Sequence, residues 1–322
     1  MRQSIMMKQK NTPTMRLLLP TLLWAALLTT IMGCQEKEEQ ASVRSAYYWS
    51  TTWEGDSATL GFISDNDISR LYLRYFDVVV TPEGEVMPNA TIRFAKPVPD
   101  SMEVIPTVFI VNECMQKDVS ILDSLLLHRI LQMSETHDIS QVHEIQIDCD
   151  WTKTTQKTYF AMLERLRDAA HKKGLQLSAT IRLHQLSMEV PPVDRGVLMM
   201  YNTGNVADIR RNPILDMDDA GPYLRRLSNY DLPLATAYPV FAWQLLFRGD
   251  QLIGILHGDD DMDIFPGDTI IQREAELSTV LQAKEAVTRR RSNANNEVIL
   301  FDISPQNIQR IKQYNYEEIF SH

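Results

Sequence analysis

The chain has 322 residues, of which 44% are hydrophobic and 23% charged, with a formal charge of −10 and a pI near 5.2. That length holds one large domain or two small ones. The acidic balance argues against a nucleic-acid partner, because phosphate binding requires a basic surface.

The chain opens on a targeting segment. Arg2, Lys8, Lys10 and Arg16 accompany an apolar run over 17–32, about 16 residues long and short for a membrane span. The run stops at Ile31-Met32-Gly33-Cys34. This resembles the bacterial lipobox, whose cysteine is lipid-modified and becomes the first mature residue. Residues 1–33 are therefore expected to be a lipoprotein signal peptide, Cys34 the lipidation site, and 34–44 a polar tether before a domain spanning 45–322. The tether stretch Gln35-Glu36-Lys37-Glu38-Glu39-Gln40 is similar to the surface-export signal of Bacteroidetes lipoproteins. The resemblance implies a lipid-anchored protein of the cell envelope, on the outer membrane and exposed at its surface.

Past the tether, strand and helix patterns alternate. An aromatic first strand is expected over 46–53, a helical connector over 65–70 and a second strand over 71–80. Four prolines make 81–100 a loop, with a short extra strand at 91–94. A third strand over 104–111 precedes a helix over 120–134 whose apolar face includes Ile121, Leu125, Ile130 and Leu131. The fourth strand, over 145–151, alternates. Ile145, Ile147 and Cys149 face one way, and Gln146, Asp148 and Asp150 the other.

The clearest helix follows over 158–172. Tyr159, Met162, Leu163, Leu166, Ala169 and Ala170 make its apolar stripe, and Gly174 stands at its C-terminal cap. Strands are expected over 175–183 and 196–201, a helix over 220–230 and a seventh strand within 233–247. A hairpin turn lies at 247–252. A long helix over 274–291, an eighth strand over 297–303 and a last helix over 305–314 complete the chain. Eight strands mostly alternating with helices imply a mainly parallel sheet. In about 270 residues they have the size of a (β/α)8 TIM barrel. The fold class is α/β, a single domain with a β-hairpin insertion after strand seven. A doubly wound open sheet is the alternative.

In a barrel the functional residues lie at the C-terminal ends of the strands. That rule selects Trp49, Trp53 and Glu54 after strand one, Glu113 after three, Asp148 and Asp150 in four, and Arg182 and His184 in five. It adds Tyr201 and Asn202 in six, Tyr238 and Trp243 in seven, and Asp302 in eight. Gln146 joins them on the inner face of strand four. Carboxylates and aromatic rings together suit a carbohydrate ligand, because rings stack on sugar faces and carboxylates bond hydroxyls or act as acid and base. No nucleotide-binding glycine motif and no Cys/His cluster is present, so neither a cofactor nor a metal is expected. A monomer is expected. Cys114 and Cys149 stand near strand ends. A disulfide between neighbouring strands is one arrangement, and two buried free thiols the favoured one.

Several of these stretches together resemble the family 18 glycoside hydrolases, the chitinases and endo-N-acetylglucosaminidases. Tyr47-Tyr48-Trp49 resembles the family's aromatic first strand. Ile147-Asp148-Cys149-Asp150-Trp151 resembles the end of its D-G-x-D-x-D-x-E strand. Met199-Met200-Tyr201-Asn202 resembles its M-x-Y-D, and Ala237-Tyr238-Pro239-Val240-Phe241 its seventh strand. The resemblance implies a TIM barrel acting on a glycan. It also shows departures. The motif's catalytic Glu falls on Thr152, its first Asp on Ile145 and its Gly on Gln146. In the family that Glu is the general acid, and a threonine hydroxyl cannot supply the proton at neutral pH.

Three readings follow. The protein is a glycosidase with a rearranged carboxylate set, Asp148 and Asp150 supplying one function and Glu113 or Asp302 the other across roughly 5 to 10 Å. Or it is a catalytically inactive surface lipoprotein that binds glycan. Or the inner carboxylates are structural and pair with a base such as Arg182. Other features read as bland. The acidic run from Asp259 to Asp263 lacks the glycine and glutamate of a calcium loop. Arg289-Arg290-Arg291 reads as a solvated helix end.

Overall fold

The structure, a computed structural model, describes residues 43–256, 262–312 and 315–321. The signal segment, Cys34 and most of the acidic run, Asp259, Asp260 and Asp261, lie outside the described residues. Among the described residues no helix is long and apolar enough to cross a membrane.

Eight parallel strands close into a barrel. They are β1 (Val43–Tyr48), β2 (Arg70–Val80), β3 (Glu103–Ile110), β4 (Glu144–Asp148), β5 (Gln176–Ile181), β6 (Arg195–Met199), β7 (Leu234–Pro239) and β8 (Glu297–Phe301). Each pairs with its neighbours in sequence, and β1 pairs with both β8 and β2, which closes the ring. Among the described residues six helices accompany them: α1 (Ser57–Asp65), α2 (Leu122–Thr136), α3 (Gln156–His171), α4 (Met217–Leu224), α5 (Leu277–Arg290) and α6 (Pro305–Ile311). The connection from β5 to β6 carries only the short turn Leu183–Ser187. That from β2 to β3 carries the strand Val86–Asn89, antiparallel to β2, in place of a helix. The expected single-domain (β/α)8 barrel is the fold observed.

Local chemistry accounts for most element boundaries. Asp56 accepts a hydrogen bond from the Thr59 amide at 2.7 Å and so caps the start of α1. This helix precedes the one expected at 65–70, where the chain instead turns into β2. Gly174 adopts φ +75° just past α3, the left-handed conformation that ends a helix at little cost to glycine. The apolar stripe of α3 is buried as its spacing predicts. In α2 the register differs from expectation. Leu122, Leu126, Leu127 and Ile130 are buried, while Ile121 and Leu125 face solvent at 64% and 56% exposure. β1 starts at Val43, two residues before the expected domain boundary.

The insertion after β7 is larger than a hairpin. The strands Ala242–Arg248 and Gln251–Leu256 turn at Gly249, φ +60°, and a third strand, Asp268–Glu274, pairs on the other side of the first. Arg291 is not a solvated helix end. Its guanidinium donates to the carbonyls of Tyr230 and Leu232 and ties the α5 terminus to the loop before β7. Cys114 and Cys149 are buried free thiols, and burial pushes the Cys114 thiol up to about 11.

Alternation along the strands fills the lumen with polar groups. At its N-terminal end the first residues of the four even strands, Arg70, Glu144, Arg195 and Glu297, form one layer, a position ordinarily held by branched apolar side chains. Arg195 bonds Glu144 at 3.2 Å and also pairs with Glu297, and Arg70 reaches Glu297 at 3.1 Å and Glu103 at 2.7 Å. Ser45 and Tyr72 donate to the other Glu297 oxygen at 2.6 and 3.0 Å. Above this layer the Tyr47 hydroxyl crosses from β1 to Gln146 on β4 at 2.6 Å.

Candidate functional site

At the C-terminal end of the same lumen, β4 delivers Asp148 and the chain just beyond it delivers Asp150. Asp148 is 3% exposed. It accepts the Thr180 hydroxyl at 2.6 Å and lies 3.4 Å from Arg182 Nη2. Burial raises its pKa, and Arg182 and Thr180 offset that only in part. Asp150 is more open, with a side chain 56% exposed, and Arg182 Nε donates to it. One guanidinium thus bridges both carboxylates. Arg182 is held above its ordinary pKa because Asp148 and then Asp150 outweigh the effect of its own burial.

Two depressions adjoin on this face and share Asn202 as a wall. The smaller, about 430 Å³, is lined by Asp150, Thr152, Arg182, His184, Tyr201 and Tyr223, with Leu183 and Thr203. Burial lowers the His184 pKa and so favours the neutral ring. Thr152 Oγ1 lies 2.8 Å from the Thr154 hydroxyl and 3.3 Å from that of Thr155, which in turn donates to Asn112 at 2.7 Å.

The larger depression, about 610 Å³, is lined by aromatic and carboxamide groups, among them Trp49, Phe241, Trp243, Phe301, Gln244, Gln272 and Asn307. Tyr201 stacks on Phe301 with centroids 4.4 Å apart, and Trp49 and Phe241 meet the same ring at 5.5 and 5.7 Å. Trp243 continues this floor from Phe241 at 5.3 Å. Trp49 is braced by Arg74, whose Nη1 donates to its carbonyl at 3.2 Å and whose guanidinium lies 5.4 Å from its ring. The Tyr201 hydroxyl is buried and has no hydrogen-bond partner among the described residues. Asp302 accepts from the Ser304 amide at 3.0 Å and from Asn307 Nδ2 at 2.6 Å, while burial raises its pKa.

The cleft brings together eight residues selected from the sequence: Trp49, Asp150, Arg182, His184, Tyr201, Asn202, Trp243 and Asp302. Asp148 and Gln146 lie beneath it, buried. Four others are elsewhere. Glu54 is exposed and lines neither depression. Glu113 is exposed on the turn Asn112–Gln116. Trp53 is fully buried in the short strand Thr52–Trp53, which pairs with Arg93–Phe94. Tyr238 points out of the barrel and donates to Asn295 at 2.9 Å. It has the parity of the outward residues of β7, so its place near a strand end does not bring it to the lumen.

Phe241, Phe301, Gln244, Gln272, Asn307 and Arg310 were not singled out. Phe301, the last residue of β8, satisfies the strand-end rule. Gln272 lies on a strand whose mixed pattern hides it, and Asn307 and Arg310 share a face of α6 only once that helix is docked. Among the described residues no three His, Cys, Asp or Glu side chains cluster so as to hold a metal ion.

In fold the chain resembles the chitinase-like barrels of glycoside hydrolase family 18. It is similar to a chitinase of Chromobacterium violaceum ATCC 12472, with a TM-score of 0.54 and 13% identity over 85% of this chain and 98% of that one. It is similar to the spore cortex-lytic enzyme SleL of Bacillus megaterium QM B1551, with a TM-score of 0.52 and 11% identity over 84% and 74%. It is also similar to a mutant family 18 chitinase of Cycas revoluta in complex with (GlcNAc)4, with a TM-score of 0.51 and 12% identity over 87% and 99%. No protein-family model matches the sequence, and no curated protein matches it.

Proposed function

We propose that this barrel binds a glycan in the C-terminal cleft and does not hydrolyse it. The observation that carries the reading is the double engagement of Arg182, which leaves Asp148 closed off and Asp150 ion-paired. A glycosidase needs one carboxyl free to protonate the leaving oxygen. At the position where the family motif has its acid, Thr152 is bonded among threonines. The aromatic floor and the ring of carboxamides retain what recognition needs: flat faces for stacking and paired donors and acceptors for hydroxyl or acetamido groups. The Tyr201 hydroxyl, buried without a partner, offers a further bond to an entering ligand.

One observation favours a second reading, a residual glycosidase. Asp302 lies in the larger lobe beside Trp49, and its burial favours the protonated carboxyl, the form that a general acid requires. A glycan array separates ligands from non-ligands, and the complex of the Cycas chitinase with (GlcNAc)4 makes chitooligosaccharides the first to try. Each glycan bound is then incubated with the protein, and products are followed by mass spectrometry. Binding without cleavage is expected. Cleavage abolished by Asp302→Asn would replace the proposal with the second reading.

The lipobox-like Ile31-Met32-Gly33-Cys34 supports placing this barrel on a membrane, tethered through Cys34 to the outer membrane of the cell envelope. Membrane fractionation of Cys34→Ser tests it. The variant is expected in the soluble fraction, and an unchanged distribution rules the anchor out.

A further inference from the structure

We propose that the larger lobe is built for an anionic glycan, one whose sugar carries a carboxylate or sulfate group that docks on the Arg310 guanidinium. This rests on the glycan-binding reading and narrows it to a substrate class. Arg310, in the last turn of α6, lines the lobe together with Trp49, Trp243 and Asn307. Its Nη1 is shut off from solvent and has no hydrogen-bond partner among the described residues. A guanidinium nitrogen shut off from solvent without an acceptor is unfavourable, because burial removes water without replacing its hydrogen bonds.

The other arginines with a shielded nitrogen are held. Arg129 donates to Thr91 at 2.8 Å, Arg211 pairs with Asp216 and Asp219 at 2.8 and 2.7 Å, and Arg273 donates to the Ile209 carbonyl. At the two ends of the lumen Arg70, Arg195 and Arg182 each meet two carboxylates. With 42 acidic residues in the chain against 32 basic ones, counter-ions are not scarce. The carboxylate that shares the lobe, Asp302, makes no ion pair with Arg310 and instead accepts from Ser304 and Asn307. The missing counter-ion is thus one that the ligand can bring. The planar guanidinium fork matches the two oxygens of a carboxylate or of a sulfate, and the aromatic rings beside it would seat the sugar that bears the anion.

The test uses the full chain in mild detergent at about 0.15 M salt, where the screening length of about 8 Å mutes the remote acidic surface. A printed array of neutral, carboxylated and sulfated glycans comes first. Affinities are then measured by calorimetry for a neutral glycan and its matched carboxylated and sulfated forms. At least one anionic form is expected to bind about tenfold more tightly than its neutral parent, and which one does so identifies the group. Arg310→Gln should bring the ratio of anionic to neutral affinity near one, and Arg310→Lys should keep part of it. Trp243→Ala should weaken both arms and leave their ratio intact. Circular dichroism establishes that each variant is folded. Binding of neutral glycans alone, or a ratio unchanged in Arg310→Gln, overturns the inference and spares glycan binding. An array with no bound glycan of any kind overturns the glycan reading itself.

Discussion

The two ends of the lumen hold similar residues in different states. At the N-terminal end, Glu297 takes contacts from Arg70, Arg195, Ser45 and Tyr72, so both of its oxygens are used, and Glu144 Oε1 alone in that layer is buried without a partner among the described residues. At the C-terminal end, Asp148 and Asp150 share one arginine, while the Tyr201 hydroxyl and Arg310 Nη1 are buried with no hydrogen-bond partner among the described residues. A charge inside a barrel is therefore a poor marker of function. Unused hydrogen-bonding capacity beside an open cleft is a better one, because a group that needs a partner and lacks one is kept at a cost in stability.

The largest effect is expected at the carboxylate with both oxygens engaged. Glu297→Gln removes the shared counter-ion of two arginines whose side chains are 26% and 17% exposed. Breaking a buried pair in this way costs about 3–5 kcal/mol, read as a drop in the urea midpoint with an unchanged slope. A loss below about 1 kcal/mol, the scale of an exposed pair, would mean that the N-terminal layer is less cohesive than its contacts imply.

That layer also marks the limit of what could be read from the sequence. The alternation in β4 was legible, and with it the inward direction of Gln146 and Asp148. The even-strand layer was not, because Arg70, Glu144, Arg195 and Glu297 stand at strand starts, where residues read as loop ends until the strands are in register. Barrel and strand order followed from eight alternating patterns. The face of α2 did not, since Ile121 and Leu125 are as apolar as the leucines that are buried. Eight of the cleft residues were found from strand ends. Gln272 and the α6 residues Asn307 and Arg310 come from elements that reach the cleft by tertiary docking, which no local pattern encodes.

A smaller effect is expected at the C-terminal end. Arg182→Met leaves Asp148 buried with Thr180 as its remaining partner, a loss of about 1–3 kcal/mol near neutral pH. Asp148 already has a raised pKa through burial, and removing Arg182 raises it further. A carboxyl with a raised folded pKa contributes stability that is complete below its unfolded pKa, about 3.9, and lost as pH rises through the folded value. The variant should therefore lie closest to wild type near pH 4 and fall away towards pH 8. A deficit independent of pH would show that Arg182 acts through packing and not through charge.

The smallest effect separates two glutamates of one layer. Burial raises the pKa of Glu144, which Arg195 and Ser178 offset only in part, and its Oε1 has no hydrogen-bond partner among the described residues. Burial also acts on Glu297, but Arg195, Ser45 and Arg70 outweigh it and the pKa is lowered. The signs are opposite. Glu297 contributes stability above its unfolded pKa and loses it as pH falls through the folded value. Glu144 contributes below its unfolded pKa, about 4.3, and loses that contribution as pH rises through the folded value. Glu144→Gln keeps the shape and removes the charge that burial disfavours. It should lie within about 1 kcal/mol of wild type at pH 7 and gain on it between pH 4 and pH 8. Urea denaturation across that range decides the matter. If Glu144→Gln loses ground as pH rises, the Arg195 contact dominates at both glutamates, and the layer works as one ion network instead of a satisfied acid beside an unsatisfied one.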